Sequence, residues 1–264
     1  NYVWNEPIVD FRPFKEGVNI REQKQKEEEA ANNVEIIAYR LKNNKSGEVV
    51  ELPFEQYLKE FKNYPKEEWT AEQIKSEPAI ARTKISDFDV QDVEGTNMTE
   101  QLLSYDGYMF MIVAYKLYGK DAGKETISVP DTIWGADTVR VGDAVQVNRK
   151  VLSIANKQVE KGTYAWDGDY VARWTKVVNP MLEIAEKDGV NALAITAFED
   201  PGKIDDFRHA TQSAYNFFTA DDIMIKTIMR SNPGVILMKN GEIIQKWHYK
   251  QLPSYEEIKA KYMK

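Results

Sequence analysis

Tyr108 to Tyr115 (Tyr-Met-Phe-Met-Ile-Val-Ala-Tyr) is the longest apolar run in the chain, and it constrains the fold more than any other feature. A strand with one wet face alternates apolar and polar residues, because successive side chains point to opposite faces. A run without alternation, rich in aromatic and β-branched residues, predicts a strand covered on both faces, as in a central parallel sheet. Its eight residues are far too few to cross a bilayer, which takes about 20.

The predicted elements around this strand can supply both covers. Tyr170, Val171, Trp174, Val177, Val178, Met181, Leu182 and Ala185 recur at helical spacing and predict one long helix ending at Asp188-Gly189. Ala192–Ala197 reads as a buried strand and Ile204 to Phe218 as a helix. Val235–Met238 and Glu242–Trp247 read as two strands joined by Lys239-Asn240-Gly241, and Tyr255 to Met263 as a closing helix. Ahead of the apolar run, Ile85, Phe88 and Val90 with Asp92-Val93-Glu94-Gly95 predict a strand and turn, and Thr99 to Leu103 a short helical turn. The order β–α–β–α–β–β–α implies an α/β fold, a mixed sheet with helices on both faces.

Two stretches stand outside that order. Residues 116–165 alternate like hairpins, with Thr126–Val129, Thr138–Val141 and Ala144–Asn148 as short strands turning at Gly135 and Gly142, and read as an insertion. Residues 1–84 read as an N-terminal α+β extension. An apolar–aromatic patch, Ile8 to Phe14, precedes the charged run Arg21 to Glu29, a solvated helix or connector. Val34–Leu41 and Glu48–Leu52 flank a polar turn, a hairpin signal; Phe54, Tyr57, Leu58 and Phe61 follow helical spacing; residues 62–83, rich in Lys, Glu and Pro, read as a linker. The main domain is then 85–264.

With 264 residues, 42% of them hydrophobic, the chain can bury a sizeable core. A net charge of −7, with basic residues scattered among acids, disfavours nucleic acid as a partner. There are no cysteines, which excludes disulfides, thiolate metal sites, thiol nucleophiles and CxxC redox centres. The chain opens at Asn1 with no signal-peptide core, and is expected to be a piece trimmed at its N-terminus.

Three pieces, in order over about 180 residues, resemble the thioredoxin-like superfamily, particularly its extracytoplasmic TlpA-type branch. The helix Lys176 to Glu186, with Pro180 inside it, is similar to the family's first long, proline-kinked helix. Asn232-Pro233-Gly234 followed by Val235 to Ile243 resembles the cis-proline loop and the strand–turn–strand after it. Ile85-Ser86-Asp87-Phe88 with Asp92 to Gly95 is similar to the branch's opening strand and turn. Thr219 to Gly234 with Lys246-Trp247-His248, and the opening Pro7 to Phe14, resemble the soluble C-terminal region of DoxX-type membrane proteins of the Bacteroidetes group. That resemblance implies an extracytoplasmic, periplasmic-face module tethered through transmembrane helices upstream of this sequence. The insertion 116–165 has no counterpart in it.

The family places its active site at the start of the kinked helix, with its second cysteine five residues before the proline. Counting back from Pro180, the site reads Ala172-Arg173-Trp174-Thr175. Neither Ala172 nor Thr175 can form a thiolate, so thiol–disulfide exchange is excluded. The family's groove beside the cis-proline binds an extended peptide, which makes Ala172, Arg173, Trp174, Thr175, Asn232 and Pro233 the expected binding residues. Trp174 and Arg173 suit an interface anchor; the alternative is that Trp174 packs beneath the inserted hairpins.

Other chemistry is thinly signalled. His209 and His248 are the only histidines; the first reads as a surface residue and the second as packing or capping. Asp205-Asp206 and Asp221-Asp222 read as helix-start carboxylates, and Glu199-Asp200 is a third acidic pair. Ser104, Ser153 and Ser213 lack nucleophile context, and Met109, Met111, Met224, Met229 and Met238 read as core. No calcium, zinc or phosphate-loop spacing is present, so no metal or cofactor is expected. The expected function is therefore non-catalytic: binding a protein or peptide partner. The alternatives are a self-associating structural ectodomain, or a non-thiol enzyme joining a histidine to two carboxylates.

Overall fold

The structure, a computed structural model, describes residues 12–141 and 144–263, and for 134–141 and 144–150 the backbone alone. The opening residues Pro7 to Phe11 and the expected turn residue Gly142 lie outside the described residues.

Helix α1 (Ile20–Asn32) starts where the Asn19 side chain accepts from Glu22 N. It is mostly exposed but buries Ile20, Glu27 and Ala30. Strands β1 (Ile36–Asn43) and β2 (Val49–Pro53) form the expected hairpin, its turn held by the Asn43 side chain accepting from the Lys45 and Ser46 amides. Helix α2 (Phe54–Glu60) follows, with Phe54 and Tyr57 stacked on Tyr39. The expected linker 62–83 is corrected. Trp69–Lys75 is a strand, β3, that pairs with β1 and completes a three-stranded sheet in the order β2–β1–β3. Its Lys and Glu residues suit a largely solvent-exposed strand: Leu41 and Leu52 are the buried residues of this sheet, and Trp69 and Ile74 are half-buried.

Ile85, Phe88 and Val90 are buried as core, but their segment forms turns and isolated bridges of Gln91 with Asn97 and Thr219, not the expected strand. Helix α3 (Thr99–Leu103) then leads to β4 (Tyr108–Ala114), the middle strand of the main sheet. Ranges for the rest of that sheet are β7 (Asn191–Ala197), β8 (Asn216–Ala220), β9 (Gly234–Lys239) and β10 (Glu242–His248). The order is β10–β9–β4–β7–β8, with β4, β7 and β8 parallel and β9 antiparallel to both of its neighbours. The mixed α/β architecture with a five-stranded mixed sheet follows the sequence expectation.

The pleat of β4 divides the core in two. Met109, Met111 and Val113 meet Phe14, Ile20, Leu103, Met224, Ile225 and Ile228 on one face. Phe110, Ile112 and Ala114 meet Tyr170, Trp174, Leu182, Phe207, Tyr255 and Ile258 on the other. The unbroken apolar run is thus the signature of a strand with a helical layer on each side. Phe14 and Ile20 belong to the first of these cores. Glu27 also binds Thr83 and Ser86, so residues 12–32 are tied to the main sheet rather than to the β1–β3 sheet.

The expected long helix is three pieces: α4 (Gly168–Arg173), a π-helical turn Trp174–Val178, and α5 (Asn179–Lys187) with Pro180 in its first turn. The wider turn ahead of Pro180 accommodates a residue with no N–H and a ring that crowds the preceding turn. Helix α6 (Pro201–Ala210) is shorter than expected. It ends at Thr211-Gln212, where Gln212 takes φ +56, and Phe217 and Phe218 lie in β8 instead. Helices α7 (Asp222–Ile228) and α8 (Tyr255–Tyr262) complete the layers.

Residues 116–165 are not several short strands. They form one antiparallel ribbon, β5 (Gly119–Val141) with β6 (Ala144–Trp166), each strand 23 residues long. Pro130 is tolerated because each strand has a side with no strand neighbour. At the ribbon base the Trp166 ring lies edge-on to Phe207, and its indole N–H donates to Asp206 at 2.6 Å.

Candidate functional site

In open α/β sheets, ligand sites form outside the carboxyl ends of the parallel strands. At the carboxyl end of β4 the chain runs through Tyr115 and Lys116, and here it meets the start of α4 and the segment entering β9. Asp167 caps α4 by accepting from Tyr170 N at 2.7 Å, and its own amide donates to Tyr118 O. Tyr170, fully buried, donates its hydroxyl to Asn232 Oδ1 at 3.0 Å, and Asn232 Nδ2 donates to Lys116 O at 2.7 Å. One buried amide therefore binds all three segments together.

Arg173 lies one helical turn past this anchor. Its Nη1 donates to the backbone carbonyl of Asn232 at 2.8 Å. Its guanidinium stands 5.4 Å from the Tyr170 ring centre and 5.0 Å from that of Tyr249, a double cation–π contact. A guanidinium carries five N–H donors, and this hydrogen bond is the one Arg173 makes among the described residues, with no carboxylate paired to it. Around it, Lys116 lies over Tyr118, Lys250 over Tyr249, and Lys226, paired with Asp222, over Tyr115. Tyrosine rings and cations thus gather around Arg173 in a chain that is acidic overall.

The titrating groups here keep that character at neutral pH. Burial pushes the Tyr115 hydroxyl up, with a further push from its contact with Tyr118, and burial does the same to Tyr170. Burial draws His248 down, and the neighbouring charges of Lys250 and Arg173 draw it further. Tyr115 and Tyr170 therefore keep their protons and His248 stays uncharged at neutral pH. Cations set beside aromatic rings are a combination that can hold an anion.

Of the residues expected from sequence, Arg173 meets Asn232 and Pro233 here, and the Asn232–Pro233 peptide is cis. Asn232 and Pro233 are themselves buried. Ala172 and Thr175 are half-buried, and the Thr175 hydroxyl bonds back to Val171 O within its own turn. Trp174 is completely buried among Tyr170, Phe207 and Phe217, not beneath the ribbon and not facing a partner. Its indole nitrogen has no hydrogen bond of ordinary geometry, although it lies close enough to the Tyr170 hydroxyl to favour that group's ionised form. Sequence reasoning missed Tyr170, Tyr249 and Lys116. Tyr170 carried a signal only as an apolar residue of the predicted helix, and Tyr249 and Lys116 carried none.

The other candidates settle into structural roles. His209 is exposed on α6, its Nδ1 2.7 Å from Asp205 O, and His248 Nδ1 accepts from Lys250 N. Asp221 caps α7 as expected. Asp205 and Asp206 do not sit at a helix start, because Asp200 caps α6 and Pro201 opens it; Asp205 pairs with Arg208, and Asp206 accepts from Trp166. Glu199 pairs with Lys203. Ser213 joins a buried network with Thr211, Asn179 and Tyr215, and the five named methionines are core. Among the described residues no cluster of three acidic or histidine side chains could hold a metal ion, and no helix is long and apolar enough to cross a membrane.

Comparison with family models, with curated proteins and with solved structures finds no match to this chain.

Proposed function

We propose that this chain is a redox-inactive, thioredoxin-like binding module that captures an acidic segment of a protein partner at the crevice beside α4. The observation that carries the reading is Arg173: a half-buried guanidinium fixed between two tyrosine rings, with a single hydrogen bond and no carboxylate among the described residues. An arginine already held in place loses little conformational freedom on binding, and arginine and tyrosine dominate the energetics of interfaces. The succession of β4, a proline-broken helix, β7, and then Asn232-Pro233 opening the β9–β10 pair supports the thioredoxin-like reading. With no thiol in the chain, what such a scaffold keeps is its capacity to bind.

The segment preceding β9 offers little to an extended peptide, because Asn232 is buried and its carbonyl already accepts from Arg173. Recognition therefore falls to side chains. The likeness to DoxX-type proteins extends the proposal to a periplasmic-face module that follows transmembrane helices in its full reading frame.

The test is fluorescence anisotropy with a labelled Glu- and Asp-rich peptide, against its Gln- and Asn-substituted counterpart, over a salt series. Arg173→Ala is expected to weaken capture of the acidic peptide at least tenfold, about 1.4 kcal/mol, and Arg173→Lys to restore little of it, since lysine lacks the planar fork. Equal affinity for both peptides, or capture indifferent to Arg173→Ala, would overturn the reading.

A further inference from the structure

The β5–β6 ribbon carries an apolar patch that nothing among the described residues covers. Ile133, Val151, Leu152 and Ile154 are 44%, 45%, 64% and 68% exposed. They sit on adjacent rungs around a bulge, since Ile133 pairs with Ser153 and Trp134 with Val151, leaving Leu152 as the extra residue. The ribbon's described side-chain contacts with the rest of the chain lie at its base, where Trp166 meets Phe207 and Asp206 and where Tyr164 reaches Asp200. A two-stranded sheet standing alone is marginally stable, and a long unpaired edge with exposed apolar residues is a template for another strand.

We infer that the partner of this edge is a second copy of the same chain. The β6 edges would pair antiparallel about a two-fold axis at Leu152–Ser153, making a four-stranded sheet. Three observations select a copy over other occupants. First, three of the four exposed apolar residues lie on β6 within four positions, so an axis there sets the patch against itself, as an isologous contact requires. Second, residues 119–166 contain seven Lys and Arg against six Asp and Glu. The ribbon is nearly neutral in an acidic chain, so two ribbons meet without strong repulsion, and neither an anionic nor a cationic surface is favoured. Third, the size suffices. An axis at Leu152–Ser153 sets residues 144–161 of each copy opposite one another, about 18 positions or roughly 60 Å, and a sheet is about 10 Å thick. The strip covers about 600 Å² of each copy, about 1,200 Å² in all, the lower end of the range for a stable interface.

The experiment measures solution mass by light scattering across a broad concentration range, on the wild-type chain and on Leu152→Asp with Ile154→Asp. Both residues are exposed, so the double variant should keep the parental circular dichroism and unfolding midpoint. It is expected to raise the dimer dissociation constant at least about 100-fold. Because the chain has no cysteine, Ser153→Cys supplies a unique thiol beside the proposed axis. It is expected to cross-link to its copy on mild oxidation, while Ser46→Cys in the β1–β2 turn is not. A wild-type chain that stays monomeric throughout overturns the inference. So does a dimer untouched by the double variant, a failure of Ser153→Cys to cross-link, or ribbon amides protected from exchange only by added lipid vesicles or a foreign polypeptide.

Discussion

The Tyr170 hydroxyl lies 3.0 Å from the Asn232 side-chain oxygen, 62 positions away in sequence, and the same amide reaches Lys116 O from its other end. This buried bond fixes the start of α4 against the entrance to β9. Tyr170→Phe keeps the ring and deletes the donor, stranding Oδ1 where water cannot replace it. The expected loss is about 1–3 kcal/mol. Asn232→Ala should cost more, because it leaves the Tyr170 hydroxyl and the Lys116 carbonyl both unmatched. Denaturant midpoints at unchanged slope measure both, and a Tyr170→Phe protein as stable as its parent would show that the bond contributes nothing.

Glu27 predicts an acid sensitivity. Its side chain is nearly sealed from solvent. Burial pushes the carboxyl up, but hydrogen bonds from Ser86, Gln23 and Thr83 outweigh that and hold it below its ordinary 4.5. A depressed folded-state pKa means the contribution is complete above about pH 4.5 and is lost as pH falls through the folded value. Glu27→Gln, an amide in a site built for an acceptor, is expected to destabilise by about 1–3 kcal/mol at neutral pH and to flatten the acid limb. Unfolding free energies from pH 7 to pH 3 check this; parallel curves for variant and parent count against it.

Trp174 separates stability from binding. Enclosed by Tyr170, Phe207 and Phe217, it should cost about 3–5 kcal/mol on replacement by alanine. Trp174→Phe should cost clearly less, since it keeps a ring and removes a buried N–H that lacks a well-formed bond. Its affinity for the acidic peptide should equal the parent's. A phenylalanine variant that folds normally yet loses that affinity would mean Trp174 touches the partner after all.

The parts of this fold that announce themselves in sequence are those whose burial is complete. Tyr108–Ala114 has helices on both faces and cannot afford a polar residue, so its run is unbroken. Trp69–Lys75 is a strand too, but it buries so little that Lys and Glu fill it, and composition mimics a linker. Phe217 and Phe218 continued the apolar spacing of α6, and only the backbone reversal at Gln212 turns them into a strand. In the ribbon, Gly135 looks like a turn although β5 continues through it. The site divides in the same way. Its backbone landmarks, Pro180 and Asn232-Pro233, are local patterns, whereas the pairing of Arg173 with Tyr249 depends on β10 ending beside α4, a long-range fact that no window of residues contains.

Gly119 tests how the ribbon is held. A Cβ there would overlap the six-membered ring of Trp166 directly across the ribbon. Gly119→Ala must therefore push that ring away, breaking the 2.6 Å bond to Asp206 and the edge contact with Phe207. A loss of about 1–3 kcal/mol is expected, together with faster amide exchange in 119–124 and 160–166 and little change in β4 or β9. Trp166→Phe removes the hydrogen bond but keeps an aromatic ring against Phe207, so it should loosen the ribbon base less. If Gly119→Ala leaves exchange at the base unaltered, the ribbon is not anchored through Trp166, and its direction relative to the sheet must be set by the backbone bond from Asp167 to Tyr118 and the contact of Tyr164 with Asp200.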